Sequence, residues 1–152
     1  MIKILFVCHG NICRSPMAEF VMKDLVNKAG RSEEFFIASA ATHSDNIWNG
    51  QGSPMYRPSV ACMKNHGVPF DKNKRAALLK RSDYEKYDYI IGMDRENLYF
   101  MKQILGEDDE NKIHLLMEYA NGAEVADPWY TRDFDTSYRD ILTGCKAFLK
   151  SI

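Results

Sequence analysis

Residues 2–7 form an almost unbroken apolar run that includes isoleucine and valine. A strand covered on one face alternates apolar and polar positions, so an unbroken run predicts a strand buried on both faces, as in a parallel sheet. The period then changes. Ala18, Val21, Met22, Leu25 and Val26 recur at helical spacing. Ahead of them, Ser15 reads as a helix N-cap, Pro16 as a first-turn proline and Glu19 as an acid in the first turn. Gly30 is the stop. Residues 35–38 predict a second strand, and the polar stretch 42–57, broken by Gly and Pro, predicts a long surface loop. A helix is expected over 58–66, closed by Gly67. Residues 88–93 repeat the buried-strand pattern and lead at Asp94 into a helix reaching Ile104. A further strand is expected over 113–117 and an aromatic loop over 125–133. The last helix spans 135–150, with Tyr138, Ile141, Cys145 and Phe148 on one face.

Strands alternating with helices predict an α/β fold: a doubly wound, mostly four-stranded parallel sheet flanked by helices. At 152 residues the chain has the size of one compact domain, taken as 1–152. Ligands of such sheets bind beyond the carboxyl ends of the strands. The first strand ends at Cys8, so chemistry is expected there.

Composition narrows the partners. Apolar residues make up 45% and charged residues 27%, which suits a folded domain and excludes a disordered chain. With 20 basic and 21 acidic residues, the net charge of -1 provides no broad basic field. Nucleic acid and anionic membrane are therefore not expected partners, and any anion site must be local. No run approaches the roughly 20 residues that span a bilayer. The first apolar run ends in a polar loop, unlike a cleaved secretory signal, so a cytoplasmic protein with reduced thiols is expected. Cys8, Cys13, Cys62 and Cys145 then read as free thiols. There is no Cys-x-x-Cys, and no His pair stands near a cysteine at finger-like intervals, which argues against zinc.

The segment from Val7 to Pro16 reads Val-Cys-His-Gly-Asn-Ile-Cys-Arg-Ser-Pro. It is a strand end, a loop that starts on Cys8 and closes on Arg14-Ser15, and a helix start. Such a loop makes an oxyanion cradle. Backbone N–H groups from His9, Gly10, Asn11, Ile12, Cys13 and Ser15 converge as candidate phosphate donors, and the helix N-terminus adds partial positive charge. Gly10 supplies a backbone angle other residues resist. Arg14 offers a planar fork for two phosphate oxygens. The same surroundings favour the thiolate form of Cys8, placing a nucleophile beneath a bound phosphate. Ser15 is placed to hydrogen-bond the sulfur, and Asn11 to hold the loop's shape. The Gly-Lys-Ser/Thr ending of a nucleotide-binding phosphate loop is missing, as is any dinucleotide glycine pattern.

These residues resemble the signature of the low-molecular-weight protein tyrosine phosphatases. The resemblance extends over the chain through Ser39-Ala40-Ala41-Thr42, Asp88-Tyr89-Ile90-Ile91-Gly92-Met93-Asp94 and Asp127-Pro128-Trp129-Tyr130. It implies hydrolysis of phosphotyrosine or other aryl phosphates through a phosphocysteine, without cofactor or metal. It makes Asp127 the general acid and Trp48 and Tyr130 the walls of the aryl pocket. His9 becomes a loop residue that also touches substrate. Cys13 becomes a redox partner able to form a reversible disulfide with Cys8. Ser39 joins Asn11 and Ser15 in supporting the loop. Members often carry a His after Gly-x-Pro to brace this network; here Lys72 stands in that region, so the bracing is expected to differ. The implied partners are phosphotyrosine-containing proteins or small aryl phosphates, and the implied state is a monomer. Arsenate reduction on the same fold is the alternative, but the mid-chain cysteine pair of that relay is missing over 70–100. A phosphate-binding module without catalysis would have no need of Cys8, Arg14 and Asp127 together.

Overall fold

The computed structural model describes residues 1–152. In chain order the elements are β1 (Ile2–Cys8), α1 (Arg14–Lys28), β2 (Phe35–Ala41), β3 (Ile47–Trp48), β4 (Gln51–Gly52), α2 (Arg57–Asn65), α3 (Asp83–Lys86), β5 (Tyr89–Gly92), α4 (Arg95–Leu105), β6 (Ile113–Leu115), α5 (Pro128–Thr131) and α6 (Phe134–Ser151). The main sheet has four strands in the order β2-β1-β5-β6, all parallel. β1 is thus an inner strand, which is why its sequence carries no polar face.

The two-residue period of β1 divides the core. Ile4, Phe6 and Cys8 point into the larger apolar cluster, which α1 and α6 cover with Met17, Val21, Ile141 and Phe148. Leu5 and Val7 point the other way, toward Met101 and Leu105 of α4 together with Leu79 and Tyr87. Each fully buried side chain of this kind contributes about 1.5–3 kcal/mol. No helix is long and apolar enough to cross a membrane.

Four details depart from the sequence reading. α1 starts at Arg14 with Cys13 as its N-cap, and no side chain caps it. Ser15 is inside the helix, its hydroxyl committed to Cys8 and Asn11. Within 42–57, β3 and β4 form a hairpin around Asn49 and Gly50, whose φ values of 51° and 75° suit a two-residue turn of the Asn-Gly type. The strand over 113–117 stops at Leu115, and Leu116–Tyr119 turn as a 3₁₀ helix packed under α6. The aromatic loop contains α5, whose first turn is capped by the Asp127 carboxylate accepting from Trp129 N–H at 3.0 Å.

Asp108 ties the approach to β6. It accepts from Lys112 N–H at 2.7 Å, Ile113 N–H at 3.0 Å and the Tyr84 hydroxyl at 2.7 Å. Partial burial works against its charge, but these donors outweigh it and hold the carboxyl below its ordinary value. A carboxylate so held adds stability above the unfolded value and loses it as pH falls through the folded one. Asp108→Asn is therefore expected to lower the urea midpoint near neutrality and to weaken the further loss on acidification. Parallel midpoint-versus-pH curves for the two proteins would contradict this.

Candidate active site

β1 delivers Cys8 to the carboxyl edge of the sheet, and α1 begins six residues later. Between them the chain wraps around the sulfur. Cys8 Sγ accepts from Asn11 N–H at 3.3 Å and Ser15 N–H at 3.4 Å, and lies 3.1 Å from Ser15 Oγ. The N–H groups of Gly10, Ile12 and Cys13 make no hydrogen bond within the chain. They are the donors an oxyanion above Cys8 would meet.

The loop's shape is held from beneath. Asn11 is left-handed, with φ of 55°, a conformation asparagine tolerates. Its side chain donates to Ser15 Oγ at 2.7 Å and Ser39 Oγ at 2.9 Å, and accepts from Ala77 N–H at 3.0 Å. With both Asn11 amide hydrogens used, the Ser15 hydroxyl is free to donate to Cys8 Sγ at 3.1 Å or to the Ala40 carbonyl at 3.5 Å, and the Ser39 hydroxyl donates to Glu19 Oε1 at 2.6 Å. Glu19 is buried and meets Lys74 Nζ at 3.1 Å and Lys23 Nζ at 2.6 Å. Lys74 also donates to the Ser39 carbonyl at 3.3 Å. The bracing cation is thus Lys74, while Lys72 is exposed. Gly10 does not adopt a positive φ, so the close approach at this position is to a side chain. A Cβ there would collide with the Asn46 side chain, which donates to the Gly10 carbonyl at 3.1 Å.

Arg14 is buried in the floor of the cleft. Nη1 donates to Asp94 Oδ2 at 2.7 Å and to the Val125 carbonyl at 2.9 Å, and Nη2 lies 3.5 Å from Asp127 Oδ2. Burial opposes its charge, but Cys8, Asp94 and Asp127 outweigh that and raise its pKa further. Anchored on one side, the guanidinium is oriented before any ligand arrives. Val125 N–H bonds Met93 O at 3.0 Å and Ser137 Oγ bonds Ala126 O at 2.9 Å, so the segment leading to Asp127 is pinned to β5 and α6.

These groups line a cleft of about 560 Å³ with Cys8 and Arg14 among its walls. Asp127, Trp129 and Tyr130 line it, as do His9, Asp45 and Asn46. His9 is tied to Asp45 at 2.6 Å and stacks on His43 with ring centroids 4.0 Å apart. Ile12 lines the cleft, its carbonyl accepting from Tyr56 N–H at 2.9 Å. Cys13 is buried on the same loop. Tyr130 is 82% exposed at the rim. Trp48 requires a correction: the hairpin pairs it with Gln51 at its turn, it is 81% exposed, and it does not line the cleft. Asp45, Asn46 and Trp129 supply the wall instead. Sequence reasoning also passed over Glu19, Lys74 and Asp94. Glu19 was open to detection, being the single charged residue among the apolar and small positions of 15–22.

A parallel sheet whose first strand carries a cysteine into an arginine-closed anion loop defines the class of thiol-dependent phosphate-loop proteins. The chain belongs to the low molecular weight phosphotyrosine protein phosphatase family, whose model matches residues 3–152. It is similar to the low molecular weight protein-tyrosine-phosphatase YfkJ of Bacillus subtilis, 36% identical over 155 residues that cover 100% of this chain and 96% of that protein. The human low molecular weight phosphotyrosine protein phosphatase is 38% identical over 153 residues, covering 97% and 93%. Among solved structures, that of YfkJ superposes with a TM-score of 0.91 at 35% identity, covering 100% and 94%. A low molecular weight protein tyrosine phosphatase from Streptococcus pyogenes gives 0.88 at 37% identity, covering 100% and 93%.

Proposed function

We propose that the protein is a protein tyrosine phosphatase that hydrolyses phosphotyrosine and other aryl phosphates with Cys8 as nucleophile, Arg14 as the phosphate fork and Asp127 as the general acid. The observation that carries this reading is the convergence of Asn11 N–H, Ser15 N–H and the Ser15 hydroxyl on Cys8 Sγ, with buried Arg14 between the loop and Asp127. Phosphate oxygens lie on the free loop N–H groups and Arg14. The thiolate attacks phosphorus, a sulfur–phosphorus bond forms, and the aryl oxygen–phosphorus bond breaks. The departing phenolate takes its proton from the Asp127 carboxyl. The resulting carboxylate then accepts a proton from water, whose oxygen attacks phosphorus, and sulfur leaves as thiolate. The Ser15 hydroxyl stabilises the sulfur as it departs.

Tyr130 and Trp129 flank the aryl ring, with His9 and Ile12 across from them. Cys13 is the resolving thiol that would close a reversible disulfide on an oxidised Cys8. The remaining properties belong to the same reading: a monomer working in the cytoplasm, with no metal in the catalytic cycle and no nucleic-acid or membrane partner. Saturable release of phosphate from p-nitrophenyl phosphate and a phosphotyrosine peptide, unchanged by a chelator, is the expected result. Thioredoxin-dependent arsenate turnover in place of that hydrolysis would overturn it.

The other thiols are set apart by their surroundings. Burial pushes Cys13 and Cys62 up to about 12 and also raises Cys145, so all three are protonated near neutrality. Sub-stoichiometric iodoacetate at neutral pH is expected to modify Cys8 first, drawn by Arg14 and blocked by phosphate. Peptide mapping that finds the label spread over the four cysteines would count against the thiolate assignment.

A further inference from the structure

Outside the cleft, α2 and α6 bring three ligand-type side chains to one spot. Cys62 stands in the last turn of α2 and His66 follows at its C-cap, four residues on. Asp135 stands in the first turn of α6. Their ligand atoms, Cys62 Sγ, His66 Nε2 and an Asp135 carboxylate oxygen, all lie within 4.8 Å of one another. Asp135 Oδ1 is 3.4 Å from Cys62 Sγ and 3.1 Å from His66 Nε2. We propose that Cys62, His66 and Asp135 form a zinc-class metal site that clasps α2 to α6, with water as the fourth ligand.

Zinc bonds of about 2.3 Å to sulfur and 2.0–2.2 Å to nitrogen and oxygen, at tetrahedral angles, set S···O at about 3.6 Å and N···O at about 3.4 Å. The two observed edges are each within a few tenths of an ångström of those values. The sulfur–nitrogen edge is no longer than 4.8 Å and closes further as the ion draws its ligands together. The donors are also pre-set. The His66 ring stacks on Tyr138 with centroids 4.0 Å apart and 13° between planes, which fixes its plane. Cys62 Sγ is buried on the protein side, while His66 and Asp135 face solvent and leave the ion a path in and room for water. One thiolate, one imidazole and one carboxylate select zinc over magnesium or calcium, which prefer oxygen alone. Binding replaces the Cys62 thiol proton, so one proton leaves per ion bound.

The site ties the start of α6 to α2. Phe134, at the first position of α6, packs on Tyr56, and Tyr56 packs on Trp129 of the acid loop. An ion there clasps the two helices behind that loop and does not enter the cleft. Spacing along the chain does not disclose the site, because Asp135 comes from another helix.

Cobalt(II) serves as the probe, titrated into the untagged full chain and into its Cys8→Ser, Cys62→Ser, His66→Ala and Asp135→Asn variants. The expected result is one cobalt per chain, with a thiolate-to-cobalt absorption band and tetrahedral ligand-field bands. These persist in Cys8→Ser and vanish in Cys62→Ser. His66→Ala and Asp135→Asn alter exposed groups and leave the fold intact. They are expected to weaken binding by at least the ~10–100-fold that loss of even an outer-shell partner costs. Zinc is expected to displace the cobalt and, added to the metal-free chain, to release one proton and raise the thermal midpoint in wild type but not in His66→Ala. Bands that vanish in Cys8→Ser and persist in Cys62→Ser would place the metal on the cleft thiol and overturn the proposal, as would the lack of any thiolate band in wild type.

Discussion

Cys8→Ser is expected to abolish turnover while leaving the cleft able to bind vanadate or inorganic phosphate. The substitution changes one atom, and the fold gives that atom no structural duty that oxygen could not fill. The loop is shaped by Asn11, Ser39 and Glu19, whose hydrogen bonds to one another do not pass through the sulfur. Arg14 is oriented by Asp94 and the Val125 carbonyl, also independently of Cys8. The anion cradle therefore survives. What is lost is the nucleophile, since a serine hydroxyl is far harder to ionise than a thiol, and the donors around it cannot close that gap. Nor is there a histidine base beside Cys8 to take the proton: His9 is turned to Asp45. The expected fall in kcat is at least about 10⁴-fold, the scale on which loss of a covalent nucleophile is felt. Steady-state hydrolysis of p-nitrophenyl phosphate and calorimetric titration with vanadate measure the two halves. Retained hydrolysis would remove Cys8 from the nucleophile's role.

The sequence discloses the first strand, the loop and the fold class for one shared reason. β1 is buried on both faces, so its apolar run is continuous, and Cys8 to Ser15 act within eight consecutive residues. Where function and local rules compete, local reading fails. Ser15 has the chemistry of an N-cap, yet its hydroxyl is drawn to Cys8 and Asn11, and α1 starts uncapped. Glu19 reads as a first-turn acid, yet it is buried as the counter-charge of Lys74 and the acceptor for Ser39. Those partners lie 20 and 55 residues away in sequence, beyond any periodicity. Trp48 fails differently. A wall made of loop residues depends on where the hairpin turns, and the left-handed pair Asn49-Gly50 places Trp48 at its tip, leaving Asp45 and Asn46 on the cleft. Asp94 escapes because it has a plausible local duty, capping α4 by accepting from Asn97 N–H at 2.7 Å. Its other oxygen meanwhile holds Arg14. A residue with two jobs shows only the local one in the sequence.

Asp127 caps α5 and, as the proposed general acid, would serve in a second way that substitution can separate from the first. Its Oδ1 caps α5, and its Oδ2 faces Arg14 Nη2 across 3.5 Å. Asp127→Ala removes cap and acid together. Asp127→Asn keeps a capping oxygen, since asparagine serves as well as aspartate at an N-cap, but has no proton to give. Both variants are expected to lose about 10²–10⁴-fold in kcat with phenyl phosphate, the usual worth of a positioned general acid. The loss should shrink as the leaving phenol becomes more acidic, because such a phenolate departs with less help. Reaction of Cys8 with iodoacetate should continue in both, since its donors come from Asn11 and Ser15. A series of aryl phosphates spanning leaving-group acidity provides the measurement. If Asp127→Asn matched wild type on the least acidic phenol while Asp127→Ala did not, the carboxyl would be a helix cap alone and the proton would have to come from elsewhere.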